Sequence, residues 1–218
     1  RKHSEILASA NKLRYPIFVK PAHLGSSIGI TKVEVKDQLM NALEVAAHYD
    51  DKVIVEQGVK NLIEVTLPVM GNAELTPGLL EQPLVSAQDF FDFDTKYMSG
   101  GKGGKKAGGK KGTQGYSNLP ADISKDQYAK AEKLGLKVYE TLGCSGLARI
   151  DMLIDSETNE VYFNEINPLP GDISAHIWRA AGISQVELVD KLVHLAEQRW
   201  QESQSRTTSF NTNYLRQF

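Results

Sequence analysis

The fold is decided by residues 146–171, which read GLARIDMLIDSETNEVYFNEINPLPG. Two apolar runs flank a polar turn here, a pattern that predicts a β-hairpin. Because strand side chains alternate between faces, Arg149 and Asp151 share one face of the first run, and Glu165 and Asn167 share one face of the second. Burying charge is costly unless the charge is paired or bound to metal. The pattern therefore predicts that three oxygen ligands and a guanidinium converge.

The register of this hairpin decides whether these side chains meet. If Asp155 pairs with Val161 around a five-residue loop, then Asp151 lies opposite Glu165. Carboxylate and amide oxygens suit Mg²⁺, which binds through a carboxylate or two together with substrate phosphates. This interpretation points to a nucleotide enzyme. The alternative, left open by the hairpin alone, is a cross-strand ion pair on a solvated face.

Composition bounds the class of protein. The 218 residues carry 25 Lys and Arg against 27 Asp and Glu, a formal net charge of −2. This balance gives no field that would recruit nucleic acid or an anionic membrane. The single cysteine, Cys144, excludes an intramolecular disulfide and fits a reducing cytoplasm. The sequence has no apolar run of about 18 residues, so we expect a cytoplasmic protein without a membrane span. Because it begins at Arg1, we expect it to be part of a longer chain.

Strand-like runs around a helical pattern predict a small β-loop-β-α-β lobe over residues 1–60. Lys20 ends the first of these strands and precedes a loop of small residues at 25–29. A point charge, free backbone N–H groups and hydroxyls are the parts needed to hold a polyphosphate. A glycine–serine turn after a lysine is also common in ordinary hairpins, so this motif alone leaves both interpretations open.

The remainder of the chain contains two capped helices and a segment of low complexity. The capping boxes begin at Ser124 and Ser184. The second box opens a helix whose apolar stripe we expect to face the core: Val189, Leu192, Val193, Ala196 and Trp200. Residues 99–115 read SGGKGGKKAGGKKGTQG, a composition that predicts a flexible loop. This loop suits a solvated insertion, a site for an acidic partner, or a lid over phosphates.

Seven short motifs follow one another along the chain: FVKP (18–21), LGSSIGI (24–30), VEQG (55–58), IEV (63–65), FDFDTKY (91–97), RID (149–151) and NEINPLPG (164–171). In combination they closely resemble the D-alanine–D-alanine ligase family of the ATP-grasp superfamily, over about residues 15–200. The resemblance implies an α+β protein with the ATP-grasp fold, made of two lobes with the nucleotide between them. The small lobe is then residues 1–60. The large lobe is residues 61–218, with the metal-binding hairpin, a mobile loop at 96–116 and a polar C-terminal tail.

The resemblance also implies which residues meet the nucleotide. Lys20 and the loop residues Ser26 and Ser27 are implied at the phosphates. Glu56, Gln57 and Val59 are implied beside the adenine, and Glu64 at the ribose. Lys96 and Tyr97 belong to the ω-loop that closes over the phosphates, and the lysine–glycine segment directly continues it. ATP is the implied cosubstrate.

On the reaction side, Arg149 is implied to stabilise the phosphate and the developing oxyanion, with help from the backbone N–H of Gly171. Ser26 and Tyr97 complete the implied catalytic set. Two Mg²⁺ (or Mn²⁺) ions are implied at Asp151, Glu165 and Asn167. The implied reaction joins a carboxylate to an amine through an acyl phosphate, with D-alanyl-D-alanine for peptidoglycan as the product.

Departures from the family pattern keep alternatives open. Where the family has Ser-His-Ser, this sequence reads Ser174-Ala175-His176, so His176 stands where a serine would face the substrate carboxylate. His176 therefore either contacts the substrate or packs beside Trp178, and the substrate is D-alanine or another amino or hydroxy acid. The family's N-terminal domain does not precede Arg1, which leaves a nucleotide-binding fragment that is inactive alone as an alternative.

Rivals of another class are a non-catalytic nucleotide-binding module and an unrelated α/β domain. Loss of the metal ligands would indicate the former, and all three are present. We expect small-molecule substrates, no nucleic-acid or membrane partner, and a possible homodimer.

Overall fold

The computed structural model describes residues 3–10, 12–25, 27–84, 117–171 and 173–206. These residues fall into two compact units, which divide between Lys60 and Asn61. The functional identities predicted for the two lobes stay predictions. The lysine–glycine segment, the predicted mobile loop at 96–116 and the end of the predicted C-terminal tail lie wholly or largely outside the described residues.

Unit 1 is a small sheet with a helix against it. In chain order its elements are α1 (His3–Ala10), β1 (Ile17–Pro21), β2 (Thr31–Val33), a 3-10 turn (Lys36–Gln38), α2 (Leu39–Tyr49) and β3 (Val53–Gln57). The strands are antiparallel in the order β2-β1-β3. Ile17 and Val19 are fully buried and pack with Leu39 and Ala42 of α2, whereas Lys20 lies on the other face of the sheet.

Unit 2 is built on a larger antiparallel sheet in the order β5-β4-β8-β9. Its elements are β4 (Leu62–Gly71), β5 (Leu75–Pro77), β6 (Gln82–Pro83), β7 (Ser117–Asn118), α3 (Lys125–Thr141), β8 (Gly146–Asp155), β9 (Glu160–Asn167), α4 (Ala175–Ala180) and α5 (Gln185–Gln204). The two short strands β6 and β7 pair with each other.

The main core of unit 2 lies between this sheet and α3. Every second residue of β8 from Ala148 to Ile154 is buried, as the pleat requires for a strand that packs on one side. Gly135 of α3 allows the helix to approach closely, since a Cβ there would lie 2.6 Å from Cδ2 of Leu67. Tyr139 is fully buried on the same helix and donates to the carbonyl of Gly71 at 2.7 Å.

The predicted hairpin forms, and Asp151 lies opposite Glu165. The predicted pairing of Asp155 with Val161 is wrong, because Asp155 pairs with Glu160. A regular ladder from this pair would put Glu165 opposite Ile150, on the core side. An irregularity after Asp151 leaves Asn164 without a partner in the ladder and restores the register.

Both predicted capping boxes are confirmed, at Ser124 and at Ser184. The predicted core stripe of α5 is largely wrong. Leu188 is the buried residue of this helix, while Val189, Val193 and Trp200 are 53%, 53% and 65% exposed. Within the described part of the chain, no helix has the length and apolar character needed to cross a bilayer.

Candidate functional site

The face of the unit 2 sheet opposite the α3 core carries most of the polar residues singled out by the sequence. Three cross-strand rows form this face, each with one residue from β4, one from β8 and one from β9. In that strand order they are Glu64, Leu153 and Tyr162; Thr66, Asp151 and Glu165; and Pro68, Arg149 and Asn167. The structure therefore brings together the four predicted hairpin residues. It adds Glu64, which the family resemblance assigns to the ribose.

Asp151 is the centre of the hydrogen-bond network on this face. Its Oδ1 accepts from Oγ1 of Thr66 at 2.6 Å and from Nε of Arg149 at 3.0 Å. Its Oδ2 accepts from Nη2 of Arg149 at 3.0 Å and from Nδ2 of Asn167 at 3.2 Å. Four donors thus occupy the roughly four lone-pair positions that a carboxylate offers. Arg149 and Asp151 form the predicted ion pair, with side chains 34% and 22% exposed.

Glu165 and Glu64 flank this network on either side. Glu165 is exposed and makes no hydrogen bond or ion pair to another described residue, so its carboxylate is available to a ligand. Glu64 is half-buried. Burial, and then the nearby charge of Asp151, raise the pKa of the Glu64 carboxyl above its ordinary value. The face therefore carries more negative charge than Arg149 alone balances.

His176 lies on α4 and contacts a residue that the sequence did not indicate. Its Nε2 lies 2.9 Å from Oε1 of Glu81, and the same oxygen accepts from Oγ of Ser117 at 2.6 Å. Trp178 is fully buried in a separate cluster with Met70 and Leu188. The contact with Glu81 is an interaction of His176 that neither predicted alternative includes. Gly171 lies in the exposed loop that follows β9.

Unit 1 carries most of the described residues that are predicted to meet the nucleotide, whereas Glu64 lies in unit 2. Nζ of Lys20 lies 2.6 Å from Oε1 of Glu56, with the lysine side chain 19% exposed. The two residues share the sheet face opposite the core of this unit, since Glu56 pairs with Phe18 and Lys20 with Ile54. Lys20 and Glu56 are therefore brought together.

The other described residues predicted for unit 1 lie at the end of β3, just after it, and in the turn that follows Gly25. Gln57 accepts through Oε1 from the backbone N–H of Arg14 at 3.0 Å, and Val59 is half-buried. Ser27 has a φ of 58° in the turn that follows Gly25. Three further predicted residues lie outside the described residues: Ser26, Lys96 and Tyr97.

A second group of metal-binding residue types occurs in unit 1, where His23, Asp50 and Asp51 bring ligand atoms within 4.8 Å of one another. Asp50 accepts from the backbone N–H groups of His23 at 2.7 Å and Lys52 at 3.1 Å, and from the His23 ring at 3.0 Å. These bonds, the one from the His23 ring first, hold the pKa of Asp50 well below its usual range. The oxygens of Asp50 are used within the loop, and we assign no metal to this group.

Sequence reasoning missed three residues of the unit 2 site. Thr66 lies two residues after Glu64 on the same strand, so strand alternation carried a usable signal for it. Glu81 and Ser117 have no comparable signal, since Glu81 meets His176, and Ser117 meets Glu81, only through long-range contacts. The backbone of Glu81 pairs with Thr66 in both directions, at 2.8 and 3.0 Å.

Comparison with known proteins identifies the family of this chain. A family described as "D-ala D-ala ligase C-terminus" matches residues 1–194. The chain belongs to this family. It is 38% identical over 203 residues to D-alanine–D-alanine ligase B of Clostridium tetani, covering 90% of this chain and 52% of that protein. It is 35% identical over 207 residues to D-alanine–D-alanine ligase of Chloroherpeton thalassium, covering 93% of this chain and 52% of that protein.

Two solved structures share the fold. The D-alanine–D-alanine ligase of Coxiella burnetii superposes with a TM-score of 0.72 at 24% identity, covering 94% of this chain and 51% of the other. The VanG D-Ala:D-Ser ligase of Enterococcus faecalis superposes with a TM-score of 0.68 at 30% identity, covering 89% and 55%. The predicted α+β ATP-grasp fold is confirmed. The chain spans about half the length of the curated relatives it matches.

Proposed function

We propose that the protein containing this chain is an ATP-dependent ligase that joins a carboxylate to an amine and forms D-alanyl-D-alanine for peptidoglycan. The observation that carries the proposal is the register of the β8–β9 hairpin, which gathers Arg149, Asp151, Glu165 and Asn167 on one face in a chain of this family. Because the chain spans about half of its curated relatives, the activity is proposed for the whole protein.

The residues of unit 1 are proposed to bind ATP. Lys20 is largely buried at the end of β1 and already faces one anion, the carboxylate of Glu56. A phosphate gives its ammonium group a second anionic partner, which suits a compact point charge. Further contacts to the nucleotide are proposed for Ser26, Ser27, Glu56, Gln57, Val59, Glu64 and Lys96.

The residues of the hairpin fit two Mg²⁺ or Mn²⁺ ions. The donor set consists of hard oxygens, Glu165 is exposed, and the Nδ2–H of Asn167 is engaged by Asp151, which leaves the amide oxygen of Asn167 for a cation. Asp151, Glu165 and Asn167 are the proposed ligands. When bound, the ions supply charge neutralisation at the phosphate oxygens, so that a carboxylate can approach them.

Arg149 is proposed to act on the reacting groups. Its guanidinium is held by Asp151 through two nitrogens, which fixes its plane beside the proposed metal ligands. Transfer of the γ-phosphate to a carboxylate gives the acyl phosphate, and attack by an amine then builds negative charge on the acyl oxygen. Donors already aimed at that oxygen stabilise it most, and Arg149 with the Gly171 N–H are the proposed donors. Tyr97 belongs to the proposed site through the resemblance alone.

Phosphate release by the whole protein with Mg²⁺–ATP tests the proposal. We expect release with D-alanine and identification of D-alanyl-D-alanine as the product. Glu165→Gln should lower kcat by at least about 100-fold, the size of effect typical of groups that stabilise transition-state charge. Glu160→Gln, on the exposed start of the same strand, is the matched control and should change kcat little. Absence of release with every amino and hydroxy acid would count against a ligase.

A second candidate is a ligase for another amino or hydroxy acid. His176 at the position of a substrate-facing serine favours it, as does the similarity to a D-Ala:D-Ser ligase. The same assay run with D-serine and D-lactate decides between the two. A cytoplasmic location and a homodimer stay predictions.

A further inference from the structure

Glu81 forms a buried contact that the proposed reaction does not yet use. Its carboxylate is 14% exposed and receives two hydrogen bonds, from Ser117 and from His176, whose side chain is 27% exposed. A carboxylate accepts hydrogen bonds, so Nε2 of His176 is the atom that carries the proton in this pair. The other ring nitrogen, Nδ1, makes no hydrogen bond to the described residues.

The backbone around this contact is fixed to the candidate metal site. Glu81 and Thr66 exchange backbone hydrogen bonds at 2.8 and 3.0 Å, and Oγ1 of Thr66 donates to Asp151. Ser117 is held by its ladder pairing with Pro83, two residues after Glu81. The carboxylate that meets His176 is therefore oriented by partners that are themselves held in place.

A fixed proton at Nε2 determines what the ring offers to a ligand. In the imidazolium form, whose charge Glu81 balances, Nδ1 also carries a proton and donates to an anion. A carboxylate that accepts from one ring nitrogen commonly sets the orientation of a histidine whose other nitrogen meets a ligand. The amino-acid substrate of the proposed ligase presents such an anion, its own carboxylate.

We propose that Glu81 is a positioning residue, which holds the ring of His176 through Nε2 so that Nδ1–H binds the carboxylate of the amino-acid substrate. This inference rests on the proposed ligase function. It adds a residue outside the matched motifs and predicts that Glu81 acts only through His176.

A double-mutant cycle in the whole protein tests this role. Glu81→Leu should raise the KM for the amino acid by at least about tenfold, as expected for loss of a charged hydrogen-bond partner, with the KM for ATP within about twofold. Glu81→Gln retains an oxygen that accepts from Nε2 and should recover much of the affinity. In a His176→Ala background, Glu81→Leu should have no further effect, because the residue through which it acts is gone.

Asp50→Asn is the matched control, since it alters the other histidine–carboxylate pair, in unit 1, and should leave the amino-acid KM unchanged. Thermal unfolding of each variant identifies any loss of the fold. Side-chain ¹⁵N NMR of the histidines adds a readout that needs no turnover, and we expect His176 to be protonated at Nε2 with Glu81 and to lose that preference in Glu81→Leu.

The outcomes separate this role from the proposed function. Lack of turnover with every amino acid would overturn the ligase function and this role with it. Normal turnover with an unchanged amino-acid KM in Glu81→Leu would overturn the role alone. Additive effects in the cycle, or a His176 ring that carries only one proton when the amino acid is bound, would do the same.

Discussion

At the scale of single residues, the candidate site pairs one of its carboxylates and leaves another open. Asp151 receives four hydrogen bonds, two of them from Arg149, while Glu165 across the strand has no described partner. Arg149 thus compensates the carboxylate that is more deeply placed, and the exposed one remains open to a ligand.

Thr66→Val should lower the free energy of unfolding by about 1–3 kcal/mol. Valine keeps the shape of threonine but removes the hydroxyl that donates to a part-buried carboxylate at 2.6 Å. Urea unfolding measures the change. Thr76→Val, at an exposed position on the neighbouring strand β5, is the control and should stay within about 0.5 kcal/mol of the parent. Equal losses in the two variants would mean that the hydroxyl contact to Asp151 contributes nothing specific.

Glu64 should make the stability of the protein fall as pH rises. Its pKa is raised in the folded state, so between the unfolded value of about 4.3 and the folded value the native state binds more protons than the unfolded state. The free energy of unfolding therefore decreases across that window. Glu64→Gln removes the ionisation, so it should stabilise the protein more at pH 7 than at pH 4. Urea unfolding at both pH values checks this, and a pH-independent difference would contradict the assignment.

At the scale of elements, the helix caps could be predicted from the sequence, whereas the irregularity in the β8–β9 ladder could not. The Ser124 and Ser184 capping boxes depend on residues three apart, so the sequence contains the whole interaction. The β8–β9 pairing depends on where a residue is left out of the ladder. The apolar–polar pattern through Tyr162, Phe163 and Asn164 does not mark any one position as irregular. The irregularity at Asn164 could therefore not be located from the sequence.

The last helix illustrates the same limit in another form. Two apolar stripes run along α5, one through Leu188, Leu192 and Leu195 and one through Val189 and Val193. Helical periodicity detects both stripes and does not choose between them. The choice is made by tertiary contact, since Trp178 of α4 and Met70 of β4 pack with Leu188.

Asn159 should stabilise the hairpin through its backbone and its side chain separately. Its φ of 59° disfavours residues other than glycine, asparagine and aspartate, and its Oδ1 accepts from Nε2 of Gln127 at 2.8 Å. Asn159→Ala loses both contributions and should cost about 2 kcal/mol in urea unfolding. Asn159→Gly keeps the backbone conformation and should cost clearly less. A larger loss for glycine than for alanine would show that the left-handed backbone is not the limiting feature.

At the scale of the whole molecule, the described residues form two units, each with a core of its own. The sequence motifs located the parts of the candidate site within each unit, because each motif is local. The motifs did not predict which distant segments of unit 2 contact each other. Thr66 reaches Asp151 across 85 residues, and Glu81 reaches His176 across 95. Such contacts depend on strand order and register, which are properties of the folded sheet and not of any short motif.

Binding of Mg²⁺–ATP should raise the Tm of this chain, because a ligand that binds only the folded state stabilises it. At a concentration of about 100 Kd the gain is about 2.7 kcal/mol. For a chain of this size that corresponds to a rise in Tm of about 5 °C or more. ATP with a chelator should stabilise less, since the proposed ligands Asp151 and Glu165 would hold the nucleotide through the cation.

Variants divide this stabilisation between the metal and the phosphates. Glu165→Gln should remove most of the metal-dependent part, whereas Glu160→Gln on the same strand should keep it. Lys20→Met should weaken stabilisation by ATP with and without metal, because the charge it removes is the one proposed to meet the phosphates directly. Lys36→Met, at an exposed site in the same unit, controls for the loss of a positive charge. Equal metal dependence in the parent and in Glu165→Gln would exclude Glu165 as a metal ligand, even if ATP still bound. Replacing a coordinating carboxylate by an amide removes negative charge at the cation, so the variant must bind the metal differently if Glu165 is a ligand.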